Sequence, residues 1–582
     1  MLEEMAESDT TGVKWREWGE EAFQEAERRN APILLDISAV WCHWCHVMDR
    51  TTYSDAEVAR LIEESYVPVR VDNDRRPDIN RRYNMGGWPT TAFLTPSGEI
   101  LTGGTYFPPD TMQNLLRQVS SAWVDRREEF ESKIAELAER RTRLPTQKGA
   151  LTASIVERII GGVANRYESR YGGFGPAPKF PHAPALELLV NRHLATGEDQ
   201  LKDMVFHTLD GMSSGGMYDH VEGGFFRYST TEDWSVPHFE KMTEDNARLI
   251  LVYLAAGTLE GGERFHKVAQ DALRFVESTL TDREGGFYGS QDADEEYYSR
   301  DREGRSGLES PYVDRTLYAD WNGLMVRAHL LGARVLGDPA LRDRGLTALD
   351  RVFSLLAPPN AGLAHYFDGS QSEVGGFLGD HAEIGLACLE AYADTGDRKY
   401  LDWAREAAAF AVDKLGAEEG GFFDRRPGSG EGALSVPARP LEENSAFASL
   451  LLRLGRLLRD ESLAHRAQDT LSIFAGGYNL YDLMGAPFAL AVDEVLTEPT
   501  HVSVVGDLDQ GAPLREAAIA GYRPYRLVDS LVPGRDDDLL TRSGYPRGDR
   551  ALAYVCVGTV CHPPTSDPAE ISSLLGTGTG PA

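Results

Sequence analysis

A Gly-Gly-Phe tripeptide that returns through the middle of the chain constrains the fold more than any other feature. Its copies begin at residues 172, 223, 285, 375 and 420, so the spacings are 51, 62, 90 and 45 residues. Helical periodicity fills the intervals, for example at 268–280, 324–336, 383–395 and 446–458. Repeats of this length predict stacked supersecondary units. The interval of 90 predicts one degenerate unit, with Gly-Leu-Ala-His-Tyr-Phe at 362–367 as the candidate.

A pair of helices and a glycine-bearing loop fit this repeat length. Taken singly, each copy can also be only a helix C-cap beside a packed aromatic side chain. The recurrence of paired helices resembles the six-hairpin glycosidase-like toroid, an (α/α)6 fold. By that resemblance, the loops at one end of the ring would form a substrate cavity. We therefore predict an all-α toroid over residues 150–495.

A Cys-x-x-Cys motif marks the N-terminal part of the chain. The sequence Trp41-Cys42-His43-Trp44-Cys45-His46 follows the apolar run 33–37 directly. This order predicts a strand, a turn and a helix, with Cys42 at the helix N-terminus. Free backbone N–H groups and the helix dipole stabilise a thiolate there, and the thiolate is the nucleophile of disulfide exchange. A redox-active dithiol is thus expected. A soft metal site of Cys42, His43, Cys45 and His46 and a redox-silent relic are the alternatives.

The neighbours of the two cysteines resemble the thioredoxin family along about a hundred residues. Asp36 precedes Cys42 by six positions, and Gly86-Gly87-Trp88-Pro89 opens an apolar strand. The resemblance implies that Cys42 is the attacking thiol and Cys45 the resolving one. It also implies that Asp36 is a buried carboxylate that assists proton transfer and that Pro89 is a cis-proline facing the sulfurs. Because His43-Trp44 replaces the Gly-Pro of thioredoxin, the resemblance does not predict the reduction potential of the pair. We predict a thioredoxin-like domain over residues 1–141 and a linker over 142–149.

Length and charge narrow the functional classes. A chain of 582 residues predicts more than one domain. Its 59 Lys and Arg against 91 Asp and Glu give a net charge of −32, which argues against nucleic acid and anionic membranes as partners. The sequence contains no apolar run of about 18 residues, so no membrane span is expected. The first residues lack a basic and apolar signal region. With five cysteines in this length, a reducing, cytoplasmic location is expected.

The last part of the chain, residues 496–582, predicts a small α/β appendage. Strands are expected at 501–505, 525–528 and 551–557, and helices at 513–520 and 569–575. Cys556 and Cys561 are interpreted first as packed, inert thiols. A disulfide between them, or exchange with Cys42, is the alternative. Cys388 lies in an apolar helical stretch and is expected in the core.

Polar residues flank the glycine-rich loops of the helical region, with aromatic residues interleaved. Two carboxylates across a cavity could split a glycosidic bond, and Asp219, Glu240, Asp292 and Asp294 are suited to this. Two histidines, His220 and His238, could instead move protons beside a carbonyl, as in an epimerase. The alternative for each of these residues is a structural role, in which its side chain bonds a loop to another loop or to a helix end. No metal or cofactor is expected. The candidate substrate-binding residues are Lys179, His182, Tyr218, Arg227, Tyr228, Lys241, Asp245, Asp292, Asp294, Trp321, Asn322, Asp380 and His381.

Several motifs occur together along nearly the whole chain. They lie at 41–48, 103–109, 177–182, 236–242, 321–325 and 553–556. This combination resembles the spermatogenesis-associated thioredoxin-domain family. The resemblance implies a thioredoxin-like domain followed by a toroid similar to N-acylglucosamine 2-epimerases and six-hairpin glycosidases. Thr243-Glu244 departs from the family pattern, and the 294–320 segment is shorter than in the family. No specific sugar is therefore implied.

Two functional hypotheses follow from the sequence. In the first, a thiol–disulfide domain that acts on a partner protein is fused to a toroid that binds or processes a carbohydrate-like small molecule. In the second, the toroid is inactive and the thioredoxin fold is redox-silent, so that the protein only binds or senses.

Overall fold

The computed structural model describes residues 12–141, 147–358, 361–428, 430–436 and 438–576. The chain forms two compact units. One combines the chain up to Pro145 with the segment Arg425–Ala438, and the other contains Thr146–Asp424 and Arg439–Ala582. Most of the predicted linker at 142–149 lies outside the described residues. Within the described residues, every helix is too short or too polar to cross a membrane.

The first unit is thioredoxin-like. Its four-stranded sheet has the order β2-β1-β3-β4, in which β1 and β2 are parallel and β3 and β4 run antiparallel to their neighbours. The strands are β1 (Ile33–Ser38), β2 (Val67–Asp72), β3 (Thr90–Leu94) and β4 (Ile100–Gly104). The helices are α1 (Glu20–Arg29), α2 (His43–Met48), α3 (Ala56–Ser65), α4 (Pro77–Tyr83) and α5 (Pro109–Arg141).

The central strand β1 is buried on both faces, which explains why its sequence is a continuous apolar run. Ile33, Leu35 and Ile37 face a core on one side of the sheet. Leu34 faces a second core on the other side, which includes Met48 of α2. The alternation follows from the period of two along a strand. It also places Asp36 on the face of the sheet that carries α2.

The segment Arg425–Ala438 completes the first core, although it lies some 320 residues after β4 in the sequence. Leu434 is 2% exposed and packs in the core that contains Ile33 and Leu35. Arg425 pairs with Asp78 at 2.6 Å. A Cβ atom on Gly98 would lie 2.5 Å from the Cα of Gly432, so this approach requires glycine. The sequence analysis assigned this segment to the toroid.

The second unit contains six helical hairpins. The outer helices are α6 (Ala153–Arg166), α8 (Asp199–Ser214), α10 (Arg264–Thr279), α14 (Pro339–Leu356), α16 (Arg398–Lys414) and α18 (Glu461–Ser472). The inner helices are α7 (Ala183–Thr196), α9 (Thr243–Gly257), α13 (Ala319–Leu336), α15 (Leu378–Thr395), α17 (Leu441–Leu458) and α19 (Ala486–Leu496). Each inner helix contacts the next, and α19 contacts α7, so the inner helices form a closed ring. This is the predicted (α/α)6 toroid.

Short elements fill the loops of the toroid. Two one-turn helices, α11 (Glu295–Tyr298) and α12 (Arg302–Arg305), lie between α10 and α13. The short strands are β5 (Tyr228–Ser229), β6 (Pro237–His238), β7 (Lys241–Met242), β8 (Ser290–Gln291), β9 (Val313–Asp314), β10 (Leu317–Tyr318), β11 (Ala364–Phe367) and β12 (Ser372–Gly375). They shape the surface in front of the N-terminal ends of the inner helices.

The Gly-Gly-Phe repeat has a conformational cause. At 223–224, 285–286 and 420–421 both glycines adopt positive φ, which favours glycine over every other residue. The backbone of the following residue is then held by an asparagine of the next inner helix. The Asn322 amide accepts a hydrogen bond from Phe287 N at 2.7 Å and donates to Phe287 O at 3.0 Å. Asn246 holds Phe225 in the same way, and Asn444 holds Phe422.

The degenerate unit is the one that the sequence indicated. Gly362 has positive φ, and Leu363 N donates to His381 Nε2 at 3.0 Å, so a histidine replaces the asparagine there. By contrast, Gly375 ends β12, and Phe377 is the N-cap residue of α15. The Gly375 copy of the tripeptide is therefore not a member of the repeat.

The C-terminal part of the second unit has a four-stranded sheet of order β14-β13-β15-β16. Its strands are β13 (Thr500–Val505), β14 (Leu527–Leu531), β15 (Leu552–Val557) and β16 (Val560–Cys561), and its helices are α20 (Leu508–Ile519), α21 (Asp537–Ser543) and α22 (Pro568–Gly576). The predicted α/β appendage is confirmed in class, and the strand expected at 525–528 lies at 527–531. Cys556 and Cys561 are opposite each other in the β15–β16 pair and form a disulfide, which corrects their interpretation as inert thiols. Cys388 is a buried free thiol, as expected.

Candidate functional site

The Cys-x-x-Cys motif lies where the sequence placed it. Cys42 is the N-cap residue of α2, and its sulfur accepts a hydrogen bond from Cys45 N at 3.2 Å. Cys42 and Cys45 form a disulfide and are each 3% exposed. The Trp44 side chain between them is 49% exposed. The His46 ring bonds to the carbonyl of Val40 at 2.8 Å. Because the two sulfurs are bonded to each other, they are not thiolate ligands of the alternative metal site in this structure.

Asp36 is buried in the thioredoxin-like unit and is tied to an arginine. Its carboxylate accepts hydrogen bonds from Arg70 Nε at 2.8 Å and from the Tyr53 hydroxyl at 3.3 Å. Arg70 also pairs with Asp49. Burial raises the pKa of Asp36 to about 6, against the opposing charge of Arg70. Nothing in the sequence analysis indicated this arginine partner.

The loop that carries Pro89 lies beside the loop that carries the cysteines. The Trp88–Pro89 peptide bond is cis, as predicted. The ring of Trp88 packs edge-on against Trp41 at 5.5 Å between centroids. Trp41 is anchored in turn by a hydrogen bond from its Nε1 to Asp74 at 2.6 Å. Two aromatic side chains thus connect the cis-proline loop to the start of the Cys-x-x-Cys motif.

The second candidate site is the end of the toroid where the inner helices begin. The first turns of four inner helices carry carboxylates there, among them Asp245, Asp320, Asp380 and Glu442. A cavity opens at this end and is lined by His182, Asp245, Arg248 and Glu442 among others. We call this region the rim.

Below the rim, the interior of the ring carries charged side chains among apolar ones. A cavity there is lined by arginine and glutamate side chains from all six inner helices. These pair across helices: Arg248 with Glu442 at 2.7 Å, Arg327 with Glu383 at 2.8 Å and Arg453 with Glu494 at 2.7 Å. At the far end, the segment 521–526 of the C-terminal part lines a further cavity, where the Tyr522 hydroxyl bonds to Asn191 at 2.6 Å.

Six of the predicted site residues come together at the rim or next to it. They are His182, Arg227, Tyr228, His238, Glu240 and Asp245. The ring of Tyr228 stacks between Phe180 and His238, at 4.8 and 5.0 Å between centroids. His238 Nδ1 lies 2.9 Å from Glu240 Oε1. Burial raises the pKa of Asp245 to about 7, although the charges of Arg227 and Arg248 oppose the shift.

Asp219 and Lys241 are brought together, but in a buried ion pair rather than at a cavity. Lys241 Nζ and Arg305 Nη1 both lie 2.7 Å from Asp219 Oδ2. Although burial works against ionisation, Lys241 and Arg305 hold the pKa of Asp219 at about 2. A carboxylate held in this way is a poor proton carrier at neutral pH, so the acid–base role predicted for Asp219 is not supported by its surroundings.

Other predicted substrate-binding residues also hold loops. Lys179 is fully buried and donates to the carbonyls of Gly172 and Glu232 at 2.7 and 2.8 Å. Asp294 caps α11 through Tyr297 N at 2.9 Å. Asn322 and His381 hold the repeat loops described above. These four side chains bond to other groups of the protein, and their assignment to substrate stays a prediction.

The remaining candidates are spread over several places. Tyr218 is buried against Phe225, and Trp321 is buried against Tyr318. His220 is exposed, and its Nε2 lies 3.0 Å from the carbonyl of Gly215. Asp292 accepts a hydrogen bond from Ala293 N at 2.7 Å. Asp380 is buried and bonds to His365 at 2.9 Å. The two histidines proposed for proton transfer, His220 and His238, do not line either cavity.

The charged interior of the ring was missed by the sequence analysis. Its residues sit singly in apolar helices, and each one taken alone looks like a solvent-exposed position. A signal was nevertheless present: Asp320, Arg327 and Arg334 are seven residues apart on α13 and therefore share one face of that helix. The same spacing relates Glu383 to Glu390 on α15.

The fold and the two sites define a class of protein: a thioredoxin-like Cys-x-x-Cys domain joined to an (α/α)6 toroid. Residues 4–141 match a family model described as Thioredox_DsbH, a protein of unknown function, DUF255. The chain is 27% identical to spermatogenesis-associated protein 20 of Homo sapiens over 713 residues, covering 97% of this chain and 90% of that protein. The resemblance to this family is thereby confirmed along nearly the whole chain.

Two further similarities accompany this one. An uncharacterised protein of Caenorhabditis elegans is 34% identical over 306 residues, which cover 48% of this chain and 41% of that protein. Among solved structures, the cellobiose 2-epimerase from Bacillus thermoamylovorans B4167 is similar with a TM-score of 0.46 and 12% identity. That match covers 56% of this chain and 87% of the other.

Proposed function

We propose that the toroid binds and processes a carbohydrate-like small molecule at its rim. The observation that carries this proposal is the cavity in front of the inner helices, where Asp245 and Glu442 converge in a lining that is largely apolar. An aromatic stack of Phe180, Tyr228 and His238 begins in this lining, which includes Phe180. Sugars present both hydroxyl groups and apolar ring faces, so convergent polar groups next to aromatic faces suit them.

Carboxyl chemistry fits the rim better than histidine chemistry. Asp245 is the proposed general acid, because a pKa of about 7 keeps much of it protonated near neutral pH. Glu442 lines the same cavity, is paired with Arg248 at 2.7 Å and is the proposed base or nucleophile. All 14 histidines lie within the described residues, and of these only His182 lines the rim cavity. A two-histidine epimerase mechanism therefore has less support than a glycosidase-like one.

The binding test uses thermal unfolding with a panel of neutral mono- and oligosaccharides. A ligand present at 100 times its dissociation constant stabilises the native state by about 2.7 kcal/mol. We expect stabilisation of the wild-type chain and of Asp413→Asn, an exposed position on α16. Stabilisation should be weakened in Asp245→Asn and Glu442→Gln. If no saccharide class stabilises the wild-type chain, the proposed function of the toroid is wrong and the binding or sensing alternative gains support.

For the first unit we propose thiol–disulfide exchange with a partner protein. The Cys42 thiolate attacks a disulfide of the partner, and one partner sulfur leaves as a thiolate. Cys45 then attacks the mixed disulfide, which releases the partner as a dithiol and leaves the Cys42–Cys45 disulfide seen here. In this proposal Asp36 takes the proton of the resolving thiol, and Pro89 faces the sulfurs. A reducing compartment such as the cytoplasm would return the pair to the dithiol.

The redox test equilibrates the chain with glutathione buffers and counts alkylated thiols by mass spectrometry. We expect two thiols to change state together in the wild-type chain. The Cys42→Ser variant should lose that transition and retain only a single reactive thiol at Cys45. A pair that stays oxidised under strong reductant in the native protein, or a chain that reduces no disulfide substrate, would reject the exchange proposal.

A further inference from the structure

Three side chains from separate elements converge next to the rim. They are Asp320 in the first turn of α13, His365 in β11 and Asp380 in the first turn of α15. One potential ligand atom from each lies within 4.8 Å of the other two. Across the described parts of the chain, this is the only such group of three histidine, cysteine or acidic residues. They span 61 positions of sequence, which is why no spacing motif indicated them.

One oxygen of this group lacks the partner that its burial demands. Asp380 is 1% exposed, and its Oδ1 bonds to His365 Nδ1 at 2.9 Å. Its Oδ2 is buried and has no hydrogen-bond partner among the described residues. A buried polar atom left unsatisfied costs about 1 to 3 kcal/mol. Such an oxygen calls for a group that the side chains here do not supply.

The charges of the cluster also indicate that a further group binds there. Asp320 and Asp380 lie close enough to repel each other, and the carboxylate of Glu244 adds a further negative charge near Asp320. His365 can offset only one of these charges, and it is already bonded to Asp380. A bound cation would satisfy the free oxygen and compensate the acidic groups together.

We propose that Asp320, His365 and Asp380 bind one divalent transition-metal ion at the edge of the rim. Two carboxylate oxygens and one imidazole nitrogen form a donor set suited to Mn²⁺ or Zn²⁺. Calcium is disfavoured, since it takes six to eight oxygen ligands. Ligand atoms about 2.0 to 2.2 Å from a common ion lie roughly 3 to 4 Å apart, so the cluster needs only a small contraction.

Three protein ligands would leave coordination positions open. Metal sites of that kind hold water or a substrate oxygen in the open position, whereas purely structural sites are closed by the protein. Asp320 belongs to the same ring of first turns as Asp245, so an ion held here would lie next to the cavity assigned to the sugar. The ion-binding inference does not depend on that assignment, because the ion can be titrated with no sugar present.

The test is Mn²⁺ binding to the full chain after treatment with a chelator, followed by electron paramagnetic resonance of the free ion. Mn²⁺ is the probe because it avoids the competition from thiols that Zn²⁺ would meet. We expect one equivalent bound per chain. Loss of a ligand in Asp320→Asn or Asp380→Asn should weaken binding by at least about tenfold. Asp413→Asn, which removes an exposed carboxylate on α16, should bind as the wild type does.

Two results would overturn the proposal. One is the absence of stoichiometric binding by the folded wild-type chain to either Mn²⁺ or Zn²⁺. The other is binding that Asp320→Asn leaves unchanged, which would place the ion elsewhere. Because Asp320 is only partly buried, its variant serves as the decisive one if Asp380→Asn does not fold, and circular dichroism verifies the fold of each variant.

Discussion

Replacing Asn322 by alanine should destabilise the toroid without a specific effect on ligand binding. The Asn322 side chain makes three hydrogen bonds to the backbone: with Phe287 N at 2.7 Å, with Phe287 O at 3.0 Å and with Tyr318 O at 2.8 Å. The side chain is fully buried, so alanine would leave one N–H and two carbonyl groups without these partners. At about 1 to 1.5 kcal/mol for each bond, the expected loss in free energy of unfolding is about 3 to 4.5 kcal/mol.

The assay is urea unfolding of the full chain followed by far-ultraviolet circular dichroism. Asn479→Ala is the matched control, because Asn479 is exposed in a short turn, and its substitution should change stability by less than about 0.5 kcal/mol. The Asn322→Ala chain that remains folded should bind saccharide with unchanged affinity. A variant that loses less than about 1 kcal/mol but no longer binds sugar would refute the reasoning and return Asn322 to the substrate site.

Three further predictions address other parts of the chain. Leu434→Ala should destabilise the thioredoxin-like unit by about 2 to 4 kcal/mol, because Leu434 is buried in its core. Val436→Ala, at an exposed position, should not destabilise it. Unfolding followed by tryptophan fluorescence measures both variants. Because the pKa of Asp245 is raised from 3.8 to about 7, its protonated form favours folding. The stability that it contributes should be present below about pH 4 and lost as the pH rises through 7, and Asp245→Asn should flatten the profile over that range. Alkylation of the denatured, unreduced chain should modify only Cys388 of the five cysteines, and modification of Cys556 and Cys561 would contradict the disulfide between them.

The sequence predicted those parts of the structure whose causes are local. Two consecutive residues with positive φ require glycine. Every full repeat loop is therefore visible in the sequence as Gly-Gly-Phe. The N-terminus of α2 and the cis-proline loop depend on a few adjacent residues, and they too were predictable. The class of each domain follows from such local signals combined with their order along the chain.

The features that escaped prediction depend on contacts between distant positions. Leu434 belongs to a core formed by residues some 400 positions earlier, and nothing near it in the sequence indicates this. The pairing of Asp219 with Lys241 and Arg305 spans 86 positions at most, yet it turns a candidate acid into a buried ion pair. Histidines and carboxylates beside glycine-rich loops have the same local appearance whether they hold a loop or face a cavity. Only their partners in space distinguish the two cases.

The charge pattern inside the ring restricts the kind of ligand that the toroid can accept. Each arginine of the interior ion pairs has a carboxylate at hydrogen-bonding distance, as Arg327 has in Glu383 and Arg453 in Glu494. Glu187 faces the same cavity. A phosphate or uronate group would therefore have to displace a carboxylate from an arginine and lose its own hydration. A neutral polyhydroxylated ligand can instead donate its hydroxyl protons to the carboxylates while each ion pair stays formed. Among the carbohydrate ligands proposed for the toroid, we therefore expect neutral saccharides to be favoured over sugar phosphates.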